Sequence, residues 1–188
     1  MKLLTPRNIA QACNGKLIMG PKAKEADLDK EVSCGVIDSR KVEEDGLFFA
    51  SEGAQVDAHK FIGQVFDKGA LVVICEKDAD KVFEQHGVTQ DVWGISILVE
   101  DTFKALKDVA TFYREQLEIP VVGITGSVGK TSTKEFIASV LAQKYEVLKT
   151  EGNFNNEVGL PLTLLRIREN HQVAVVEMGI SDFGEMHR

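Results

Sequence analysis

The chain has 188 residues, 44% hydrophobic and 27% charged, a composition suited to one large or two small globular domains. Its net charge of −7 argues against nonspecific nucleic-acid binding, which needs a basic face, but leaves room for an anionic ligand at a locally positive site. The N-terminal apolar run is too short for a signal peptide and no stretch approaches transmembrane length, so the expectation is a cytoplasmic protein without membrane insertion.

The first helix is punctuated by Thr5 as N-cap, Pro6 at the first helical position and Asn14-Gly15 at its close. Strands are expected at Ser33–Ile37, Leu47–Ala50 and Ala70–Cys75, the last an apolar run of the kind buried in a parallel sheet. A helix over His59–Lys68, stopped by Gly69, joins the latter two. A second over Ala79–His86 ends at Gly87, and Ile95–Val99 reads as another strand. Together these make a small α/β domain. The seam is placed near Val99–Thr102, where Asp101 caps a helix carrying Leu106, Val109, Ala110, Tyr113 and Leu117 at helical spacing.

Pro120 resets the chain to an extended conformation. A strand from Val121, a loop, a helix over Thr131–Gln143 and a strand at Glu146–Lys149 follow. After a polar loop come a helix over Leu160–Ile167 and a strand at Val173–Glu177. Such alternation argues for a parallel sheet covered by helices. Gly184–Arg188 reads as the first turn of a further helix, so the chain is expected to be the front part of something longer.

The richest segment is Val121–Thr133, an apolar strand running into a glycine-bearing turn at the mouth of a helix. Such a turn builds a phosphate cradle from backbone N–H groups. Gly126, Ser127, Val128 and Gly129 form the loop, and Lys130, Thr131 and Ser132 open the helix. A hydroxyl-capped turn accounts for the glycines and hydroxyls but not for Lys130, which faces the positive end of the helix dipole unless an anion lies between. Lys130 is assigned to the β- and γ-phosphates, and the Thr131 hydroxyl to Mg²⁺. The strict Walker pattern would place a glycine at Ile124, so the loop is the shorter form Gly126-x-x-Gly129-Lys130-Thr131.

Glu177 ends the apolar run of the last strand, at the carboxyl edge where open α/β sheets bind ligands. Alone it reads as a solvated strand end; beside the loop it reads as a Mg²⁺ ligand. Asn153, Asn155 and Asn156 crowd one loop at that edge. They admit two readings: Asx turns and a helix cap, or amides that recognise substrate or order water around the metal. In the first domain, Arg40 within Asp38-Ser39-Arg40-Lys41 could clamp a diphosphate, although on the residues alone a solvated loop is the simpler reading. Cys13, Cys34 and Cys75 read as buried free thiols, Trp93 as packing, and the four histidines show no metal-ligand spacing.

These segments together resemble the Mur ligases over the whole chain. Thr125–Glu135 is similar to the family's ATP loop, with Val128 where Asn is usual. Gly152–Leu165 is similar to the stretch specific to members that add D-alanyl-D-alanine, and differs from the tripeptide-forming members and the folylpolyglutamate ligases. Val176–Gly179 with Gly184-Glu185 resembles the segment bearing the Mg²⁺-binding glutamate, here Glu177. Asp38–Lys41 with Gly46–Ala50 resembles the uridine-nucleotide-binding part, whose companion Asp-Gly-His motif departs to Asp57-Ala58-His59.

The resemblance implies residues 1–99 as a UDP-muramoyl-peptide-binding domain and 100–188 as the start of a P-loop-type ATP-binding domain, both α/β. It implies Lys130 and Glu177 as catalytic, residues 126–132 as nucleotide-binding and Thr131 with Glu177 as metal-binding. Ser39, Arg40, Asn153, Asn155 and Asn156 become substrate-binding. The implied reaction uses ATP and Mg²⁺ to join D-Ala-D-Ala to a UDP-MurNAc-tripeptide through an acyl phosphate, in a monomeric enzyme. Ligands of a second Mg²⁺ and the amine-recognising domain would lie beyond Arg188, leaving the 188 residues with little activity alone. A nucleotide-switch module and a tripeptide-forming ligase are the alternatives.

Overall fold

The computed structural model describes residues 1–53, 56–87, 89–152 and 154–179. The chain divides into two compact units, Met1–Gln116 and Leu117–Arg188.

In the first unit, α1 (Pro6–Ala12) starts as its sequence dictates: the Thr5 side chain accepts from Asn8 N–H and Pro6 occupies the first turn, where its missing N–H costs nothing. The sheet holds β1 (Lys16–Met19), β2 (Gly35–Val36), β3 (Leu47–Ala50), β4 (Val72–Cys75) and β5 (Ile95–Leu98), in the order β1-β5-β4-β3-β2. Neighbours are parallel except β1, which runs antiparallel to β5. β1 was not expected; its four residues gain their ladder only from a strand some eighty positions on, which local pattern does not reveal. β2 is shorter than the expected Ser33–Ile37.

α2 (Ile62–Asp67), entered through a 3₁₀ turn at Ala58–Phe61, connects β3 to β4, and α3 (Ala79–His86) connects β4 to β5. α3 is capped by the Asp78 side chain at one end and by Gly87 in the left-handed region at the other. Trp93 is buried between Phe66 and Phe83, its Nε1 donating to Ser96 Oγ. The three thiols are free, Cys13 and Cys75 buried and Cys34 half-buried.

The seam differs from the expected one at Val99–Thr102. α4 (Thr102–Glu115) begins at Asp101 as anticipated, with the Asp101 carboxylate accepting from Phe103 and Lys104 N–H. Its apolar stripe, however, packs on α1, β3 and β4, and buries Ala105, Leu106, Val109, Ala110 and Tyr113. The helix therefore completes the first unit's core instead of opening the second. Periodicity identifies an apolar stripe but not the sheet that it covers.

The second unit carries β6 (Val121–Ile124), α5 (Lys130–Leu141), β7 (Val147–Lys149), α6 (Gly159–Leu164) and β8 (Val173–Glu177). Its three strands are parallel, in the order β6-β8-β7. β8 is buried along its whole length, as a central parallel strand with an unbroken apolar run should be. Asn153 and the expected helical turn at Gly184–Arg188 lie outside the described residues.

Candidate functional site

The register of β6 against β8 places Ile124 beside Glu177, so the loop after β6 and the end of β8 meet at one edge of the sheet. Met178 N–H donates to Ile124 O across that edge. The chain then turns through Gly126, with φ +145°, and Gly129, with φ +82°, backbone conformations that glycine adopts without the Cβ penalty. Gly129 is the N-cap of α5, whose first intrahelical bond runs from Thr133 N to Gly129 O. The N–H groups of Lys130, Thr131 and Ser132 precede that bond and have no carbonyl of their own helix to serve. Ser127, Val128, Thr131 and Ser132 are exposed, and Lys130 Nζ folds over the loop to donate to Gly126 O at 2.7 Å.

Glu177 is 2% exposed. One carboxylate oxygen, Oε1, accepts from Asn155 Nδ2 at 2.8 Å and lies 3.3 Å from Thr131 Oγ1. Its Oε2 is buried and, among the described residues, has no hydrogen-bond partner. A buried acceptor left open costs free energy unless something supplies the missing partner. A hard cation held by Oε2 and the Thr131 hydroxyl would do so, and oxygen ligands are what Mg²⁺ takes. The donor set fits that ion.

The three asparagines separate. Asn155 points at Glu177, and its carbonyl accepts from Gly179 N–H. Asn156 turns to its own helix: Oδ1 accepts from Val158 and Gly159 N–H, an Asx cap on α6. Asn156 thus takes the Asx-cap reading, Asn155 contacts the Glu177 carboxylate, and Asn153 is outside the described part.

Sequence reasoning passed over two further residues at this edge. Lys134, one turn beyond Lys130, is 1% exposed and donates to Thr150 O at 2.8 Å. Thr150 is fully buried, and its Oγ1 accepts from Glu177 N–H. The available signal for Lys134 was its i+4 spacing from Lys130, which places both lysines on one side of the helix.

In the first unit, Ser39 and Arg40 lie in a short 3₁₀ turn capped by Asp38. Ser39 is buried, with Lys68 Nζ donating to its carbonyl at 2.9 Å. Arg40 is exposed and turned back on Asp38, whose carboxylate accepts from its Nε and Nη2. That pairing, with the Arg40 backbone N–H, lowers Asp38 to about 2. Nearer the ends of β3 and β4, the departed motif Asp57-Ala58-His59 forms a polar clamp. His59 is fully buried; Glu76 N–H donates to its Nε2, so the ring proton sits on Nδ1, 2.6 Å from Asp57 Oδ1. Asp57 Oδ2 receives Lys77 Nζ at 2.5 Å and lies 3.2 Å from His86 Nε2. Burial pushes the Asp57 carboxyl up, but Lys77 and the His59 N–H groups outweigh it and hold the group well below the usual carboxylate range.

Residues 31–114 match the family model "Mur ligase family, catalytic domain", and residues 124–188 match "Mur ligase middle domain". A UDP-N-acetylmuramoyl-tripeptide--D-alanyl-D-alanine ligase of Bacillus subtilis is 40% identical over 97% of this chain and 37% of its own length. Among solved structures, MurF from Acinetobacter baumannii superposes with a TM-score of 0.77 at 34% identity, over 97% of this chain and 36% of that one. MurF from Thermotoga maritima in complex with ADP gives 0.64 at 35% identity, over 79% of this chain and 32% of that one. The chain thus spans just over a third of the length of the relatives that it matches. With both family models met in order along the chain, and a phosphate-type loop and buried carboxylate where the second begins and runs, the chain belongs to the Mur ligase family.

Proposed function

We propose that these residues form the nucleotide-binding part of a MurF-type ligase, which uses ATP to join D-Ala-D-Ala to a UDP-MurNAc-tripeptide. The observation that carries the reading is the buried Glu177 carboxylate, with Oε2 open, beside Thr131 and the Lys130 loop. The 40% identity to a ligase of that name, and the ADP complex of a 35% identical one, support ATP as the nucleotide.

In this reading the N–H groups of residues 127–132 hold phosphate oxygens, and Lys130 exchanges its contact with Gly126 O for the β- and γ-phosphates. Thr131 Oγ1 and Glu177 Oε2 would hold Mg²⁺, which when bound neutralises charge on those phosphates. Asn155 fixes the carboxylate through Oε1, leaving Oε2 to the metal. The γ-phosphoryl group passes to the tripeptide carboxylate, the amine of D-Ala-D-Ala attacks the acyl phosphate, and inorganic phosphate leaves. Lys130 and the loop dipoles stabilise charge that develops during the first transfer. Ser39 and Arg40 would meet the uridine diphosphate, Arg40 trading Asp38 for phosphate, and Asn153 the substrate. The reading carries with it a cytoplasmic, monomeric protein that engages neither nucleic acid nor membrane. Phosphate release by the 188 residues alone is expected to stay at background, since they span just over a third of the matched ligases.

Calorimetric titration tests the assignment. Mg·ADP and UDP-MurNAc-tripeptide should each bind, and Arg40→Ala should weaken the uridine ligand while leaving ADP unchanged. Binding of ADP with no affinity for any uridine nucleotide would point instead to a nucleotide-switch module.

A further inference from the structure

Lys134 is a charged side chain sealed inside the second unit, 1% exposed, and the phosphate-site reading gives it no task. Its ammonium makes three approaches. It donates to Thr150 O at 2.8 Å, lies 3.2 Å from Glu135 Oε1, and stands 3.8 Å from Glu177 Oε2. The last is close enough for strong attraction in a buried setting and too long for a hydrogen bond. The lysine thus supplies the countercharge that makes a buried carboxylate tolerable without consuming the oxygen that a cation would need.

The second link is mechanical. Thr150 follows β7, its N–H donating to Val175 O and its hydroxyl accepting from Glu177 N–H. By gripping the Thr150 carbonyl, Lys134 ties α5, the helix that opens with the phosphate loop, to the residue that holds the Glu177 backbone. Glu135 is in turn held by an ion pair with Lys149 on β7.

We propose that Lys134 is a positioning residue for the metal, acting through Glu177 and Thr150: it keeps the Glu177 carboxylate aimed with Oε2 open. The inference rests on the reading of this edge as a nucleotide–Mg²⁺ site. It predicts a sign that Coulomb's law alone does not. Removing a cation near a metal site should by repulsion alone strengthen metal binding, whereas loss of a positioning residue weakens it.

The test uses the 188-residue chain, ADP and Mn²⁺ followed by electron paramagnetic resonance, with Lys134→Met, Glu177→Gln and the double variant. Lys134→Met should weaken Mn²⁺ in the ADP complex about tenfold, the scale of losing a partner that orients a metal ligand, and leave metal-free ADP affinity within about twofold. In the Glu177→Gln background the same substitution should add no further loss of Mn²⁺ affinity. The melting temperature should fall in Lys134→Met and recover in part in Lys134→Met/Glu177→Gln, where no carboxylate is left buried without its countercharge. A Lys134→Met chain that folds only with the second substitution supports the coupling.

Several results overturn the proposal. These are unchanged or tighter Mn²⁺ binding, equal losses with and without metal, a loss that adds in full to that of Glu177→Gln, or failure of both variants to fold. A wild-type chain that binds no ADP sinks the nucleotide reading itself, a result distinct from any of these.

Discussion

Asn155 and Asn156 are adjacent, carry the same side chain, and work in opposite directions. The first spends its amide on Glu177 and the second on capping α6. Asn155→Ala should therefore weaken metal-dependent nucleotide binding and, by stripping a donor from the buried Glu177 carboxylate, also lower stability. Asn156→Ala should cost about 1 kcal/mol of stability, the usual scale of a lost cap, and leave nucleotide affinity intact. Urea denaturation and ADP titration of the two variants separate these outcomes. Lys130 stands apart from both, because among the described residues its ammonium meets a carbonyl within the loop that it serves. Lys130→Ala should reduce ATP affinity about 10- to 100-fold, the equivalent of one charge-assisted contact, without lowering the melting temperature. Unchanged affinity would remove the lysine from the phosphate site.

At the scale of elements, those with local punctuation were legible in the sequence and those fixed by distant contacts were not. Thr5-Pro6, Gly87 and Asp101 each declare a helix end through groups within a few residues, and each does so in the structure. β1 depends on pairing with β5, and the side chosen by α4 depends on which sheet lacks a cover. The site divides likewise: the loop and Glu177 were readable from strand ends and glycine placement. Lys134 on α5 meets Glu177 together with Thr150 and Asn155 from the loop after β7, and that meeting of separate segments is set by tertiary packing that local pattern does not show.

The Asp57 clamp is another product of convergence, joining residues near the ends of two strands and one helix. Because the Asp57 carboxyl is held below its unfolded value, it adds stability that is present above about pH 4 and is lost as pH falls toward its folded value. Asp38, lowered to about 2 by Arg40, acts in the same direction, though its partner is exposed and its share small. Asp57→Asn should flatten the acid limb of the stability profile and, by leaving Lys77 and His59 short of a partner, destabilise the first unit by about 2 kcal/mol at neutral pH. Urea midpoints between pH 3 and pH 7 check both effects.

For the whole molecule, the seam at Gln116 rather than Val99 has a direct test. A chain of residues 1–116 retains all five strands and α4, and should unfold in one cooperative step. A chain of residues 1–99 lacks the helix that buries Leu106, Val109 and Tyr113 among others. At about 1.5–3 kcal/mol for each large apolar side chain, that loss rivals the 5–15 kcal/mol by which domains are typically stable. The shorter chain should show no cooperative melt by circular dichroism, and a melt matching the longer one would restore the earlier boundary.

Trp93 is the only tryptophan in the chain, and it lies wholly inside the first unit, wedged against two phenylalanines. Indole emission is therefore an optical label for Met1–Gln116, present without any chemical modification. Far-ultraviolet ellipticity, by contrast, sums over both units. Heating the chain with and without Mn·ADP should move the part of the ellipticity curve that emission does not follow, because a ligand stabilises the unit that binds it. The difference between the two signals would then report on the phosphate-loop unit, which has no indole of its own.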